Sequence, residues 1–311
     1  MATAIAHPNI ALVKYWGKQD KPGNIPATPS LSITLDTLAT ETTVVKSDQD
    51  SFHLAGLQVN DAKVAKFLAT LRAQVDVPPL NIETHNNFPT GAGLASSASG
   101  FAALITAINA ECSLGLDDDM ASEWARIGSA SAARSMFGGY VSLIPPLWRA
   151  QPTAAASHWP LAVVVAITST ASKAVSSGEG MEITRTTSPF YKTWLQGSGD
   201  DYARVNDAIA CRDFPELAAA AELNCLKMHA IMQTSVPTLN YWNPATISVM
   251  EKVRQLRDNG KSAFFTIDAG PQVKVVCLPE QAQSVAQVLA KTSGVLETII
   301  CQLGPGAYLR P

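Results

Sequence analysis

Between Asn86 and Gly100 the chain reads Asn-Asn-Phe-Pro-Thr-Gly-Ala-Gly-Leu-Ala-Ser-Ser-Ala-Ser-Gly, and an apolar-periodic segment (Phe101, Leu104, Ile105, Ile108) follows at once. A proline, glycines and small residues make a tight turn that opens directly into a helix. The first N–H groups of a helix have no partner within it, and the helix dipole places about half a positive charge there. A loop that brings bare backbone to such a point suits a phosphate. Ser96, Ser97 and Ser99 add hydroxyls suited to phosphate oxygens or a Mg²⁺ ion. The residues point to a nucleotide-phosphate cradle.

Other glycine motifs fit less well. Gly91-Ala92-Gly93-Leu94-Ala95-Ser96 begins like a dinucleotide fingerprint but lacks the last glycine, and Thr84-His85-Asn86-Asn87-Phe88-Pro89 is not a buried strand running into the turn. Gly260-Lys261-Ser262 has Gln255 where a P-loop needs its first glycine, and the apolar run after it reads as a strand. A structural turn, chosen for close helix packing, is the remaining alternative.

A chain of 311 residues holds one large or two ordinary domains, and 47% hydrophobic with 16% charged residues is a globular balance. The net charge of −3, without a basic run, argues against nucleic acid and anionic membrane as partners. The longest apolar run, 161–167, is far too short to span a bilayer, and the N-terminus lacks the pattern of a signal peptide. Five scattered cysteines without Cys-x-x-Cys, and five histidines without His-x-x-x-His, imply a reduced cytoplasmic setting and no zinc site.

Residues 3–58 read as strand-rich, and Asp61 as the cap of a helix with Val64, Phe67, Leu68, Leu71 and Val75 on one face. A strand at 80–84, the cradle and its helix follow, then a helix opening on Asp117, Asp118 and Asp119 with Met120, Trp124 and Ile127 as its apolar stripe. A strand covers 140–144. The Ala/Thr/Pro stretch at 151–157 is the best boundary, giving domains 1–160 and 161–311. Beyond it the pattern predicts a strand at 161–169, helices at 200–211, 214–232 and 245–258, strands at 262–268 and 272–278, a helix at 280–291 and a strand at 295–303. Mixed elements without strict βαβ alternation predict an α+β fold.

Three charged residues stand where a core resists them. Asp268 ends the apolar strand Ala263-Phe264-Phe265-Thr266-Ile267 before Ala269-Gly270-Pro271. A carboxylate there must be paired, functional or a turn cap. Arg134 lies among Ser and Ala, whose small side chains leave its guanidinium reachable. Lys14 follows an apolar run, whereas Lys18 reads equally well as a solvated charge.

The segment Asn9-Ile10-Ala11-Leu12-Val13-Lys14-Tyr15-Trp16-Gly17-Lys18 resembles the N-terminal signature of the mevalonate diphosphate decarboxylase family. The stretch from Asn86 to Gly100 resembles that family's version of the phosphate loop of the GHMP kinase superfamily. Ser129-Ala130-Ser131-Ala132-Ala133-Arg134-Ser135-Met136-Phe137-Gly138-Gly139, Val175-Ser176-Ser177 with Gly180-Met181, and Phe265-Thr266-Ile267-Asp268-Ala269-Gly270-Pro271 are similar to its later motifs, in the family's order. The resemblance implies a two-domain GHMP-kinase fold, with an N-terminal domain like ribosomal protein S5 domain 2 and a ferredoxin-like C-terminal domain. It implies ATP and Mg²⁺ in a cleft, mevalonate 5-diphosphate as substrate, a homodimer, and formation of isopentenyl diphosphate with loss of phosphate and CO₂.

It further implies Asp268, Lys14 and Arg134 as the catalytic group, with Ala11, Tyr15, Lys18, Ser129, Ser131 and Arg134 facing the substrate. Asn86, Gly93, Leu94, Ala95, Ser96, Ser97, Ser99 and Ser176 would hold ATP within a loop at 89–100, Ser97 also contacting the metal. Two departures stand out: Gly91 where the family commonly has Ala, and Ala130 where it commonly has Gly. Related readings from the same residues are a small-molecule 3-kinase that stops at phosphorylation, a decarboxylase of the 5-monophosphate, and a ligand-sensing relative without catalysis.

Overall fold

The computed structural model describes residues 1–20, 22–88, 93–171 and 173–311. The chain opens with β1 (Ala2–Ala6), β2 (Asn9–Val13), β3 (Ser30–Thr34) and β4 (Thr40–Lys46), the last rich in β-branched residues, then β5 (Ser51–Leu54) and β6 (Leu57–Gln58) on either side of Gly56. Asp61 caps α1 (Ala62–Arg72) by accepting from the N–H groups of Lys63 and Val64, and β7 (Leu80–Asn86) follows. Next come α2 (Ser96–Cys112), α3 (Asp118–Gly128), α4 (Ala132–Ser135), β8 (Tyr140–Leu143) and β9 (Ala150–Ala154). The remainder is β10 (Ala162–Ile167), α5 (Ser177–Thr187), α6 (Tyr191–Cys211), α7 (Phe214–Gln233), α8 (Pro244–Asp258), β11 (Ala263–Ile267), β12 (Val273–Cys277), α9 (Ala282–Ala290), β13 (Glu297–Gln302) and β14 (Tyr308–Leu309).

The strands form three sheets. The first has the order β14-β1-β4-β7-β5-β6, and α2 lies against β1 and β4. Val44, Ile82, Phe101, Ile105 and Trp124 share a core there with the predicted face of α1, and Phe67 meets Phe101 edge-on at 5.4 Å between ring centres. The second, β2-β3-β8-β9, is covered on both faces along β2 and β3, because α6 and α7 also pack on β2. The third, β11-β12-β10-β13, is antiparallel throughout, with α8 and α9 on one side and α7 against β11. One core joins Ile10, Leu12 and Ile33 to Val163, Val205 and Phe264, so the second sheet is packed against the later half of the chain.

Several expectations need correcting. Helix α5 lies where no helix is expected, since Gly178, Gly180 and a run of Ser and Thr conceal it; the Ser176 side chain caps it by accepting from Glu179 N–H. Helix α6 starts at Tyr191, well before residue 200, passing through Gly197 and Gly199. Strand β9 runs into the 151–157 stretch, which reads as a loop in the sequence, and β14 returns to pair with β1 in the first sheet. Met120 does not join an apolar stripe: it is exposed, while Trp124 is buried.

Candidate active site

Strand β11 delivers Asp268 at its carboxyl end, and β2 delivers Lys14 just past its own. The Thr266 hydroxyl donates to the Ala11 carbonyl at 3.1 Å and holds the two strand ends together. Lys14 Nζ then donates to Asp268 Oδ1 at 2.6 Å, and Lys274 Nζ lies 3.0 Å from Oδ2. The Lys14 backbone N–H donates to Asn224 Oδ1 at 2.6 Å, and Asn224 is held in turn by Asp201, itself paired with Lys227. Burial alone would raise the Asp268 pKa. The two ammonium groups outweigh it and hold the carboxyl well below the ordinary carboxylate range.

Arg134, on the short α4, is only 2% exposed. Its Nε donates to Ser32 Oγ at 3.0 Å, and its terminal nitrogens donate to Ser30 Oγ at 2.5 Å and Asn9 Oδ1 at 3.2 Å. All three partners are neutral, and burial pushes the guanidinium pKa down to about 10, with Asp268 and Tyr15 opposing. The expectation that small neighbours leave this arginine reachable holds only from inside the cavity described next. The Tyr15 hydroxyl is likewise buried, with no hydrogen-bond partner among the described residues. A buried cation whose hydrogen-bond partners among the described residues are all neutral, beside such a hydroxyl, is a ready receptor for an anion.

These groups face one cavity of about 320 Å³. Five cations line it (Lys14, Lys18, Lys63, Arg134 and Lys173), and Asp268 is the only carboxylate among its described lining residues. Lys18 Nζ is steadied by Asn24 Oδ1 at 2.6 Å, and burial, then Lys63 and Lys66, lowers its pKa. Lys173 Nζ donates to Ser177 Oγ at 2.7 Å and to the Ala269 carbonyl at 3.2 Å; burial, then Lys63, pushes it down to about 8. Opposite these cations, α2 begins after Ala95 without a side-chain cap, and Ser97, Ser129 and Ser131 form a hydroxyl chain at 3.4 and 3.2 Å. A cavity with this charge pattern suits a ligand carrying several negative charges.

Residues 6–146 match the family model of the diphosphomevalonate decarboxylase-like N-terminal domain, and residues 163–303 that of the mevalonate 5-diphosphate decarboxylase C-terminal domain. A diphosphomevalonate decarboxylase of Gibberella zeae is 37% identical over 87% of this chain and 79% of its own. The chain belongs to the diphosphomevalonate decarboxylase family. A solved complex of a protein designated MDDEF with MVAPP, AMPPCP and magnesium shares 38% identity, covers 99% of this chain and 98% of its own, and superposes with a TM-score of 0.92. The mevalonate diphosphate decarboxylase from Enterococcus faecalis, solved in a study of ATP binding mediated by mevalonate diphosphate, shares 37% identity over 99% of this chain and 98% of its own, with a TM-score of 0.90. The fold is accordingly the two-domain α+β GHMP-kinase fold of these decarboxylases.

Within this decarboxylase family member, Lys14, Asp268, Arg134, Ala11, Tyr15, Lys18, Ser129 and Ser131 all line the one cavity, together with Gly93, Ala95, Ser96, Ser97 and Ser176. Three expected nucleotide contacts have side chains that point elsewhere. Ser99 is fully buried with its hydroxyl 2.6 Å from Thr40 Oγ1, which donates to Asn86 Oδ1 at 2.6 Å; Leu94 belongs to the hydrophobic core. These side chains buttress the loop from behind. The part of the loop at 89–92, including Gly91, lies outside the described residues. Ala130 does not take a positive φ, so its departure from Gly brings no strain. Sequence reasoning missed Lys63, Lys173 and Lys274. The first two stand in segments that read as solvent-facing, and the third in a strand where alternation suggests an outward charge.

Proposed function

We propose that this chain carries out the ATP-dependent decarboxylation of mevalonate 5-diphosphate to isopentenyl diphosphate, ADP, phosphate and CO₂. The observation that carries this reading is Asp268, the one carboxylate among the described lining residues, facing five cations and the uncapped start of α2 across one cavity. A polyphosphate donor and a second anionic substrate would neutralise that wall, and the one acid group is left for proton chemistry.

The roles follow from chemistry and position. Gly93, Ala95, Ser96, Ser97 and Ser176 would hold the ATP phosphates, assisted by Lys173 and by Lys63. Among the described residues no three His, Cys, Asp or Glu side chains cluster into a metal site. A Mg²⁺ ion would therefore be held chiefly by phosphate oxygens, with Ser97 as a protein contact, and would neutralise charge on the phosphates. Lys18, Tyr15, Ser129 and Ser131 would grip the substrate diphosphate beside the Ala11 backbone. Arg134 would take the substrate carboxylate, whose two oxygens match its planar fork.

Asp268 would accept the proton of the tertiary 3-hydroxyl as the oxygen attacks the γ-phosphorus. An alcohol is a far weaker acid than any carboxylic acid, and Asp268 is held below even the ordinary carboxylate range. Full ionisation of the alcohol beforehand is thus out of reach, and proton and phosphoryl group move together. Lys14 orients the carboxylate at some expense of its basicity. Departure of the new phosphate then leaves an electron-poor carbon that draws the electrons of the breaking carboxylate bond into the alkene. Arg134 serves orientation at that stage, since a tighter grip on the carboxylate would stabilise the ground state and slow the loss of CO₂.

The division at 160/161 is proposed as the domain boundary, supported by the gap between the two family-model matches, with β14 returning to the first sheet. Among the described residues no helix is long and apolar enough to cross a membrane. A cytoplasmic setting is supported by cysteines that are all free, and a homodimer by the prevalence of two-fold assemblies. Incubation with ATP and mevalonate 5-diphosphate, with CO₂, ADP and isopentenyl diphosphate measured together, tests the function. A stable 3-phosphorylated product without CO₂ would assign a kinase instead, and a higher kcat/KM for the 5-monophosphate would reassign the substrate.

A further inference from the structure

Lys274 is the second residue of β12, an inner strand with β11 on one side and β10 on the other, opposite Thr266 and Val165. Its side chain is 0% exposed. An ammonium so placed has lost its water and must be paid back by protein acceptors. It forms an ion pair with Asp268 Oδ2 at 3.0 Å and donates to the Gly93 carbonyl at 2.7 Å. Gly93 belongs to the loop before α2, and its backbone packs so closely on the turn after Asp268 that an added Cβ would lie 2.9 Å from Gly270 Cα. One buried cation thus joins the loop assigned to the nucleotide to the carboxylate assigned to the proton, from a strand that is not among the described residues lining the cavity.

We propose that Lys274 is a positioning residue for phosphoryl transfer: it ties Asp268 to the loop at Gly93 and, with Lys14, keeps the carboxylate aimed at the substrate hydroxyl. The inference rests on the function proposed above. Lys14 and Lys274 grip different oxygens of Asp268, so the carboxylate plane is fixed at two points and cannot rotate away from one without straining the other. The remaining titratable and charged groups facing Asp268 do not substitute for this clamp. Arg134 on α4 and Lys173 before α5 act on it only at longer range, while His229 and Cys225 on α7 are uncharged at neutral pH because burial lowers the histidine and raises the thiol. A charge within a few ångströms shifts a carboxylate by about 1–3 units, so losing one of two such neighbours is measurable.

The test compares wild-type enzyme with Lys274→Met, Lys274→Gln and Lys274→Arg, measuring ATP-dependent CO₂ release across pH together with KM for ATP. Absence of CO₂ release by the wild type would refute the proposed function itself. With an active wild type, Lys274→Met is expected to lower kcat by about tenfold or more, in line with the cost of small misplacements of a reacting group. It should also raise KM for ATP severalfold and move the acid limb of kcat/KM upward by about one unit or more. Lys274→Gln keeps a donor for Gly93 but no charge; it should move the acid limb equally while largely sparing KM for ATP. Lys274→Arg should leave the acid limb near its wild-type position. A folded Met or Gln variant whose acid limb has not moved overturns the proposal. Failure of both variants to fold assigns Lys274 to the stability of the core and overturns it as well.

Discussion

Lys14 and Asp268 stand 254 positions apart in the chain, yet the ammonium of one lies 2.6 Å from a carboxylate oxygen of the other. The pair exists only because β2 and β11 end side by side, joined by the bond from Thr266 to Ala11. Its geometry places the single acid group among the cavity's described lining residues beside its counter-charge before any ligand arrives.

Removing that charge while keeping the shape isolates its chemical role. Asp268→Asn retains a similar outline and an oxygen for Lys14, so substrate affinity should persist, while Tm should fall because the buried Lys14 and Lys274 lose their counter-charge. The kcat is expected to fall by about 10²–10⁴, the usual contribution of a positioned base. Steady-state CO₂ release with KM for both substrates checks this, and turnover within a few-fold of wild type would remove Asp268 from the chemistry.

The cations across the cavity give a different pH signature. Lys173 is pushed down to about 8 by burial and then by Lys63, so its charge is present below that pH and lost as pH rises through it. A cation that binds phosphate is useful only when protonated. The kcat/KM for ATP should therefore decline above about pH 8, whereas the limb in kcat should lie higher, because a bound polyanion raises the ammonium pKa. Lys173→Met should show a lower kcat/KM for ATP with that alkaline decline removed.

Arg134 offers a test in which stability and activity part company. Its guanidinium is buried against neutral oxygens, so the protein alone bears a desolvation cost that an anionic ligand would offset. Arg134→Met should leave the Tm of the ligand-free protein equal to or above that of wild type, while kcat/KM for the phosphorylated substrate drops by about 10² or more. The rise in Tm that the substrate gives the wild type should vanish in the variant. A variant that is destabilised but still stabilised by substrate would place Arg134 in the scaffold.

How far the site was legible in the sequence depended on whether local pattern and tertiary burial agreed. Asp268 stood out because a carboxylate ended a continuous apolar strand, and the cradle because glycines and serines preceded a helical stripe. Lys274 did not: in Gln272-Val273-Lys274-Val275 the alternation reads as a strand with one wet face, and only the covering of both faces of β12 turns that lysine inward. Ser99 misled in the opposite sense, since a loop serine resembles a ligand, yet it falls on the buried side of α2 with Phe101 and Ala102. The return of β14 to the first sheet left no signal, because two residues are too few for any periodicity.

The close contact between the loop and the turn after Asp268 can be probed at Gly93 itself. Its φ of +82° lies in the left-handed region, and a Cβ there would approach Gly270 Cα to 2.9 Å, backbone against backbone. The conformation alone costs a non-glycine residue about 1–2 kcal/mol, and backbone cannot yield as a flexible side chain would. Gly93→Ala is therefore expected to lower stability by at least that amount, about 2–4 °C in Tm per kcal/mol for a chain of this size or less. Because the displaced carbonyl is also the one that Lys274 holds, KM for ATP should rise more than KM for the second substrate. Thermal unfolding and initial rates measured on the same preparation decide the matter, and an alanine variant with wild-type Tm and KM would show that the loop does not pack on the Asp268 turn.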